Sequence, residues 1–319
     1  MLYSLLKIPA KFALWIYCRS LQINKKEILE INGPLLIAAN HPNSFLDAII
    51  LATLFKQPIY SLARGDAFTN NFYSRLLTSL NMFPVYRISE GVENLESNYK
   101  TFDDCEELFK KKGIVLIFSE GRCINEWHLR PLKKGTARLA MSVWQGGTPL
   151  KILPCGINYS SFTSFGKNVQ LNFGEIINEK DLDITDSFGN NINNFNEALQ
   201  KRLQQLVVEI DKKDISVIKE KFRVTQSWPT KIILFIPALL GWLFNAPLYY
   251  PLKKITLKRA AHNDHFDSVM VGLLFVLYPF YLLLISLLVF LFFGSWYWAL
   301  TFVVLPFCAW SYVQLKQQF

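Results

Sequence analysis

A chain of 319 residues with a formal net charge of +9, 51% hydrophobic and 15% aromatic, can hold one or two domains with a real core and leans towards a membrane-associated protein. Its basic balance suits anionic lipid or phosphorylated small molecules, and the signatures of nucleic-acid binding (zinc-finger spacing, an aromatic ribonucleoprotein motif, a long basic helix) are missing. The five cysteines, Cys18, Cys105, Cys123, Cys155 and Cys308, are scattered and form no Cys-x-x-Cys pair, which speaks against a disulfide framework or zinc site and for a reducing compartment.

Residues 1–19 place Ser4, Lys7 and Lys11 on one helical stripe, with Leu2, Leu5, Leu6, Phe12, Trp15 and Ile16 largely elsewhere. This pattern predicts an interfacial amphipathic helix whose lysines reach lipid headgroups; an ordinary helix packed on the domain is the alternative. Lys7 and Lys11 also interrupt the apolar stretch, against the expectation for a signal peptide.

Residues 20–228 alternate apolar runs with amphipathic stretches. Strands are predicted over 34–39, 58–63, 82–87, 114–118, 150–159 and 169–173, and helices over 44–55, 71–80, 95–112, 134–145 and 193–211. Helices interleaved with strands in this way predict an α/β domain with a mixed, mostly parallel sheet flanked by helices.

Residues 229–319 form the predicted α-helical membrane region. From Ser268 to Leu315 there is no charged residue, and a spanning helix needs about 20 apolar residues, so transmembrane helices are predicted over 268–293 and 296–315. Gly294-Ser295 supplies the turn between them, and Trp296, Tyr297 and Trp298 suit a membrane interface. The uncharged stretch 232–250 contains Pro237, Asn245 and Pro247 and has Lys231 before it and Lys253, Lys254, Lys258 and Arg259 after it. Basic residues at both ends predict a re-entrant or interfacial hairpin broken near Asn245–Pro247, with Lys316 left inside. His262 and His265 beside Asp264 and Asp267 suggest a metal cluster at first sight, but flexible polar residues between membrane segments are the expectation.

Candidate chemistry collects where predicted strands end. The run Pro34–Ala39 leads into Asn40-His41-Pro-Asn-Ser-Phe-Leu-Asp47. A histidine at that turn can accept and return a proton near neutral pH, and a nearby carboxylate can fix its tautomer. The same residues also fit a plain capping box, Ser44-x-x-Asp47, with His41 idle. Met82–Arg87 ends in an arginine able to grip phosphate, or simply a surface ion pair. Ile114–Phe118 runs into Ser119-Glu120-Gly121-Arg122, where Gly121 permits a tight turn, Arg122 can bind an anion and Glu120 can anchor the arginine or a substrate hydroxyl. Lys133 and Lys134 beside Gly135 open a helix, either as an anion site or as two solvated lysines. Pro154 in Ile152-Leu-Pro-Cys-Gly156 predicts an edge or bulge.

In this order, Asn40-His41…Asp47, Phe83-Pro-Val-Tyr-Arg87, Phe118-Ser-Glu-Gly-Arg122 and Ile152-Leu-Pro154 resemble the motifs of the glycerol-phosphate and lysophosphatidate acyltransferase superfamily, the PlsC-type domain. The sequence resembles a divergent branch: five residues separate His41 from Asp47 where the common pattern has four, Ser119 replaces the usual proline, and the threonine between glycine and arginine is missing. The resemblance implies a glycerolphosphate-acyltransferase-like fold and transfer of a fatty acyl chain from acyl-CoA or acyl carrier protein to a hydroxyl of glycerol 3-phosphate or lysophosphatidate, with no metal and no cofactor. It implies His41 as general base, Asp47 as its orienting partner, Arg87 and Arg122 on the acceptor phosphate, and Glu120, Gly121 and Lys134 as further binding positions. A nucleophile elbow Gly-x-Ser-x-Gly and a Walker loop are missing, which disfavours an acyl-enzyme. An acyltransferase for a lyso-amino-acid lipid and a catalytically silent lipid-binding membrane protein are the rival readings. The expected location is a bacterial inner membrane with the catalytic domain facing the cytoplasm.

Overall fold

The strand β2 (Leu35–Ala39) is buried along its whole length and sits at the centre of the sheet, paired in parallel with β5 (Ile114–Phe118) on one side and β6 (Lys151–Tyr159) on the other. A strand covered on both faces has no use for polar alternation, which is why it reads as an unbroken apolar run. The computed structural model describes residues 2–86, 97–185, 187–261, 263–294 and 296–316. Among the described residues the sheet has seven strands in the order β1-β7-β6-β2-β5-β3-β4, with β1 (Cys18–Ile23), β3 (Ile59–Arg64), β4 (Met82–Val85) and β7 (Lys167–Phe173) completing it. The pair β6–β7 is antiparallel and the others are parallel, so the fold is the mixed, mostly parallel α/β domain expected. Strand β1 was not anticipated: Cys-Arg-Ser-Leu-Gln-Ile pairs with β7 alone at the sheet edge, and its polar residues mask the apolar signal. Pro154 is not at an edge: β2 pairs with it on one side, and on the other its carbonyl accepts from Gly174 N at 2.9 Å, just beyond β7.

Side chains of alternate parity fill two cores. One face, with Leu35, Ile37 and Ala39, packs under α1 (Leu2–Tyr17), α2 (Phe45–Leu54) and the residues Leu252, Phe266 and Met270 of the C-terminal helices. The other, with Leu36, Ala38, Val115 and Ile117, is covered by α4 (Ser97–Lys110), α5 (Gly135–Gln145) and α6 (Phe188–Gln204). Two shorter helices, α3 (Asn71–Ser79) and α7 (Ile215–Lys221), lie outside the sheet.

Helix α1 divides its polar stripe: Lys7 turns towards the domain, while Ser4 and Lys11 stay exposed. Lys7 Nζ donates to the carbonyl of Phe55 at 2.5 Å, at the C-terminal end of α2 where a cation meets the helix dipole. Tyr3 donates to Ala52 O at 2.9 Å on the same helix. Leu5, Ile8, Phe12 and Trp15 are exposed on the same outer side as Ser4 and Lys11. Lys7 thus ties the helix to the domain, and the outer side keeps Lys11 beside the exposed apolar residues.

Among the described residues three helical segments are long and apolar enough to cross a membrane: Trp228–Arg259 (α8), Phe266–Phe293 (α9) and Trp296–Leu315, the last made of a short 3₁₀ turn and α10 (Thr301–Leu315). The hairpin expected over 232–250 does not form; α8 is one helix of 32 residues that carries Pro237, Pro247 and Pro251 inside it. Prolines are tolerated there because packing against neighbouring helices compensates. A β-carbon on Gly241 would lie 2.0 Å from the carbonyl oxygen of Cys308, so a glycine is what lets α8 and α10 cross so closely. Gln226, just before α8, donates to Gln314 at the domain end of α10 at 2.8 Å, and Thr256 near its other end meets Met270. Midway, Tyr281 donates to Phe244 O; Tyr281 lies eleven residues beyond Met270, about 16 Å along the axis of α9. Between these points Leu248 and Tyr249 of α8 also pack on the domain's core.

Candidate active site

The parallel register brings Ala39, Phe118 and Cys155 level with one another. The residues that follow, from β2 and β5, therefore emerge side by side at the carboxyl edge of the sheet, the usual place for ligands in such folds. Asn40 fastens this edge: its amide donates to Ile157 O at 3.0 Å and accepts from Ile157 N at 2.7 Å, continuing the ladder to β6 after β2 has ended. Ser119 N donates to Ala39 O at 2.9 Å, a bond that the family's usual proline cannot make. Its hydroxyl accepts from Thr136 at 3.0 Å, which ties the turn to the start of α5.

His41 and Asp47 meet. The Nδ1 of His41 lies 2.8 Å from Asp47 Oδ2, with the imidazole 19% exposed and the carboxylate fully buried. The five intervening residues do not separate the pair, because the chain turns back at Ser44 (φ +51°, ψ −131°) before α2 begins. Asp47 is not merely a helix cap: Oδ2 also accepts from Asn43 N at 2.9 Å and Oδ1 from Tyr159 OH at 2.7 Å. Burial, then the Asp47 charge, pushes the Tyr159 hydroxyl well above its ordinary value of 10.0 and keeps it a donor. The ring of His41 stacks on Phe118 with centroids 3.8 Å apart and planes 10° from parallel. One imidazole nitrogen is thus committed to a buried carboxylate, in a ring that is itself partly exposed. A histidine held in this way can take a proton from a hydroxyl and hand it on.

Glu120 is buried next to the pair but works on the protein. Its Oε2 accepts from His41 N at 2.8 Å, its Oε1 accepts from Arg130 N at 2.9 Å, and the Arg130 guanidinium lies 3.4 Å away. It does anchor an arginine, as one reading of the turn expected, but Arg130 and not Arg122, and with both oxygens engaged it steadies the backbone of the histidine loop in place of a substrate hydroxyl. Gly121 sits at φ +68° and a β-carbon there would meet Lys133 Cγ at 2.9 Å. Arg122 is exposed, and its carbonyl accepts from Arg130. Lys134 is exposed at the start of α5, and Lys133 is the lysine laid over the turn. Arg87 lies outside the described residues.

Several residues near the site escaped sequence reasoning. Arg130 and Tyr159 carry no motif of their own. Arg64 ends β3 at the same edge of the sheet, pairs with Asp66, and is close enough to His265 to lower its proton affinity; a cation at the last position of a strand before a glycine was a legible signal. His265 and Asp267 are not flexible linker residues: His265 Nδ1 lies 2.7 Å from Ser44 Oγ, and Asp267 is fully buried against Lys167.

Residues 20–158 match the model of the acyltransferase family. Among known proteins the chain is similar to glycerol-3-phosphate O-acyltransferase 2 of Saccharomyces cerevisiae, 30% identical over 94 residues. That match covers 29% of this chain and 12% of the yeast protein. Among solved structures, the 1-acyl-sn-glycerophosphate acyltransferase PlsC of Thermotoga maritima aligns with a TM-score of 0.45 at 14% identity, over 63% of this chain and 78% of that one.

Proposed function

We propose that the protein is a membrane-bound O-acyltransferase that moves a fatty acyl chain from acyl-CoA or acyl carrier protein to a hydroxyl of a glycerol-phosphate-type acceptor, glycerol 3-phosphate or lysophosphatidate, in phospholipid synthesis. The observation that carries this reading is the imidazole of His41 at the sheet edge, 2.8 Å from a buried Asp47. His41 removes the acceptor's hydroxyl proton as the oxygen attacks the thioester carbonyl. The tetrahedral adduct collapses, the C–S bond breaks, and the proton passes from His41 to the departing thiolate. Asp47 holds the tautomer and stabilises the imidazolium between these steps. General base catalysis of this kind contributes about 10²–10⁴-fold, and holding the two substrates together supplies much of the remainder. Arg87 and Arg122 hold the acceptor phosphate, with Gly121 shaping the turn and Lys134 adding charge at its rim.

The membrane reading rests on the three apolar helices and on where their ends lie. Asp267 in the first turn of α9 pairs with Lys167, and Lys316 just after α10 donates to Phe165 O at 2.8 Å. Both ends of the α9–α10 pair thus return to the domain, which fits a crossing out and back, with α8 kept on the domain's side by its basic flanks. The domain then faces the cytoplasm, at the inner membrane if the source is bacterial. A reporter fused after Phe319 should lie in the cytoplasm.

The test offers purified full-length protein a panel of acyl-CoA and acyl carrier protein donors against glycerol 3-phosphate, lysophosphatidate and lyso-amino-acid lipids, with products read by mass. Transfer to a phosphorylated glycerol acceptor, abolished in His41→Ala, is expected. Transfer only to an amino-acid lipid, no transfer at all, or an active His41→Ala overturns the reading.

A further inference from the structure

Ser44 carries a positive φ of 51° with ψ −131°, a backbone conformation costly for a residue with a β-carbon. Such a residue keeps its shape only when its surroundings over-determine it. Here Ser44 N donates to Cys123 Sγ at 2.9 Å, and the side chains and next amide of the turn are held from the other end of the chain. Asn43 Nδ2 donates to Asp267 Oδ2 at 2.5 Å, Ser44 Oγ lies 2.7 Å from His265 Nδ1, and Phe45 N donates to Ser268 Oγ at 3.2 Å. Three consecutive residues of the turn between His41 and Asp47 are each held by one residue of the segment 265–268, where α9 starts.

The holding segment is itself anchored. Asp267 and Lys167 are both fully buried and ion-paired, and Tyr17, also buried, donates to the same carboxylate. A buried pair of this kind is strongly destabilising to break on one side only, so Asp267 cannot drift from Lys167 at the start of β7. The turn it holds is the one that presents Asn43 N to Asp47 Oδ2. The position of the turn therefore decides whether the carboxylate meets His41.

We propose that His265, Asp267 and Ser268 are positioning residues: the mouth of a membrane helix clamps the catalytic turn and keeps the His41–Asp47 pair assembled for the reaction. The proposal rests on the reading of His41 as general base. It makes turnover depend on the seating of α9 against the domain, although none of the three residues is assigned to substrate.

The experiment uses the full-length protein in lipid nanodiscs and measures kcat and KM for donor and acceptor, with His41→Ala as control. The double variant His265→Ala/Ser268→Ala removes two of the three clamps without leaving a buried charge. It should lose tenfold or more in kcat with both KM values within twofold of wild type. His265→Asn, which returns a hydrogen-bonding group near the Nδ1 position, should stay within threefold of wild-type kcat. If the double variant does not fold, Asn43→Ala, which removes the third clamp alone, carries the same thresholds. A kcat within twofold of wild type overturns the clamp, as does a loss confined to KM, or a His265→Asn as slow as the double variant. An inactive His41→Ala beside full-speed clamp variants overturns the clamp alone; an active His41→Ala overturns the general-base reading and the clamp with it.

Discussion

Replacing Asp47 by asparagine removes one charge and almost no volume. The asparagine can turn its oxygen towards His41 Nδ1 and Asn43 N, which lie 2.8 and 2.9 Å from Asp47 Oδ2 in the wild type, and its NH₂ towards the Tyr159 hydroxyl. The hydrogen bonds can thus survive with the tautomer intact, and what disappears is the attraction between carboxylate and imidazolium. With charge centres about 4 Å apart and an effective dielectric constant of about 20, that attraction is about 4 kcal/mol. Lost from the transition state alone, it lowers kcat by about 10³-fold. KM should change little, because the charge on His41 exists only while the proton is in transit. Steady-state acyl transfer by wild type, Asp47→Asn, His41→Ala and the double variant reads this directly, with circular dichroism to confirm folding. Residues acting as one unit are not additive, so the double variant should be no slower than His41→Ala. An Asp47→Asn enzyme within threefold of wild type, or a double variant slowed by the product of the two single effects, would refute the dyad.

Three further outcomes follow from the packing and the titrating groups. Gly241→Ala pushes a β-carbon onto the Cys308 carbonyl at 2.0 Å. Overpacking of this sort costs about 1–3 kcal/mol, so thermal inactivation in detergent should begin at lower temperature, and an unchanged midpoint would disprove the close crossing. The Cys123 thiol is pushed far up, by burial first and then by the Asp47 charge, so iodoacetamide at pH 8 should leave it unlabelled in the folded protein and label it in urea; fast labelling of the native protein contradicts this. Burial, then Arg64, lowers the His265 imidazole below its ordinary value of 6.5. The unfolded chain therefore takes up this proton first as pH falls. Below that pH the wild type should lose stability relative to His265→Asn until the folded imidazole also titrates, and a difference that is flat or opposite in sign across this range counts against it.

Much of the sheet was legible because its signals are local. A strand buried on both faces must be apolar throughout, so Leu35–Ala39 and Ile114–Phe118 stand out in the chain, and helices between them imply parallel pairing. His41, Asp47 and Glu120 were found because they directly follow those strands. Their partners were not, because Tyr159, Arg130 and Lys167 carry no period, spacing or motif that points to the site. The lysine stripe of α1 was seen, but amphipathicity does not say which lysine the domain takes: packing turns Lys7 to the end of α2 and leaves Lys11 exposed. The prolines of α8 suggested a broken hairpin because proline removes a backbone donor, whereas the neighbouring helices hold the helix together.

The chain by itself determines an α/β domain followed by apolar helices, since strand burial and helix periodicity are properties of neighbouring residues. Only the tertiary structure decides that a five-residue interval still joins His41 to Asp47, that Glu120 supports the loop, and that Asp267 reaches the turn between them across 224 positions. Contacts of that range depend on which elements pack together, and no local pattern of side chains records the outcome.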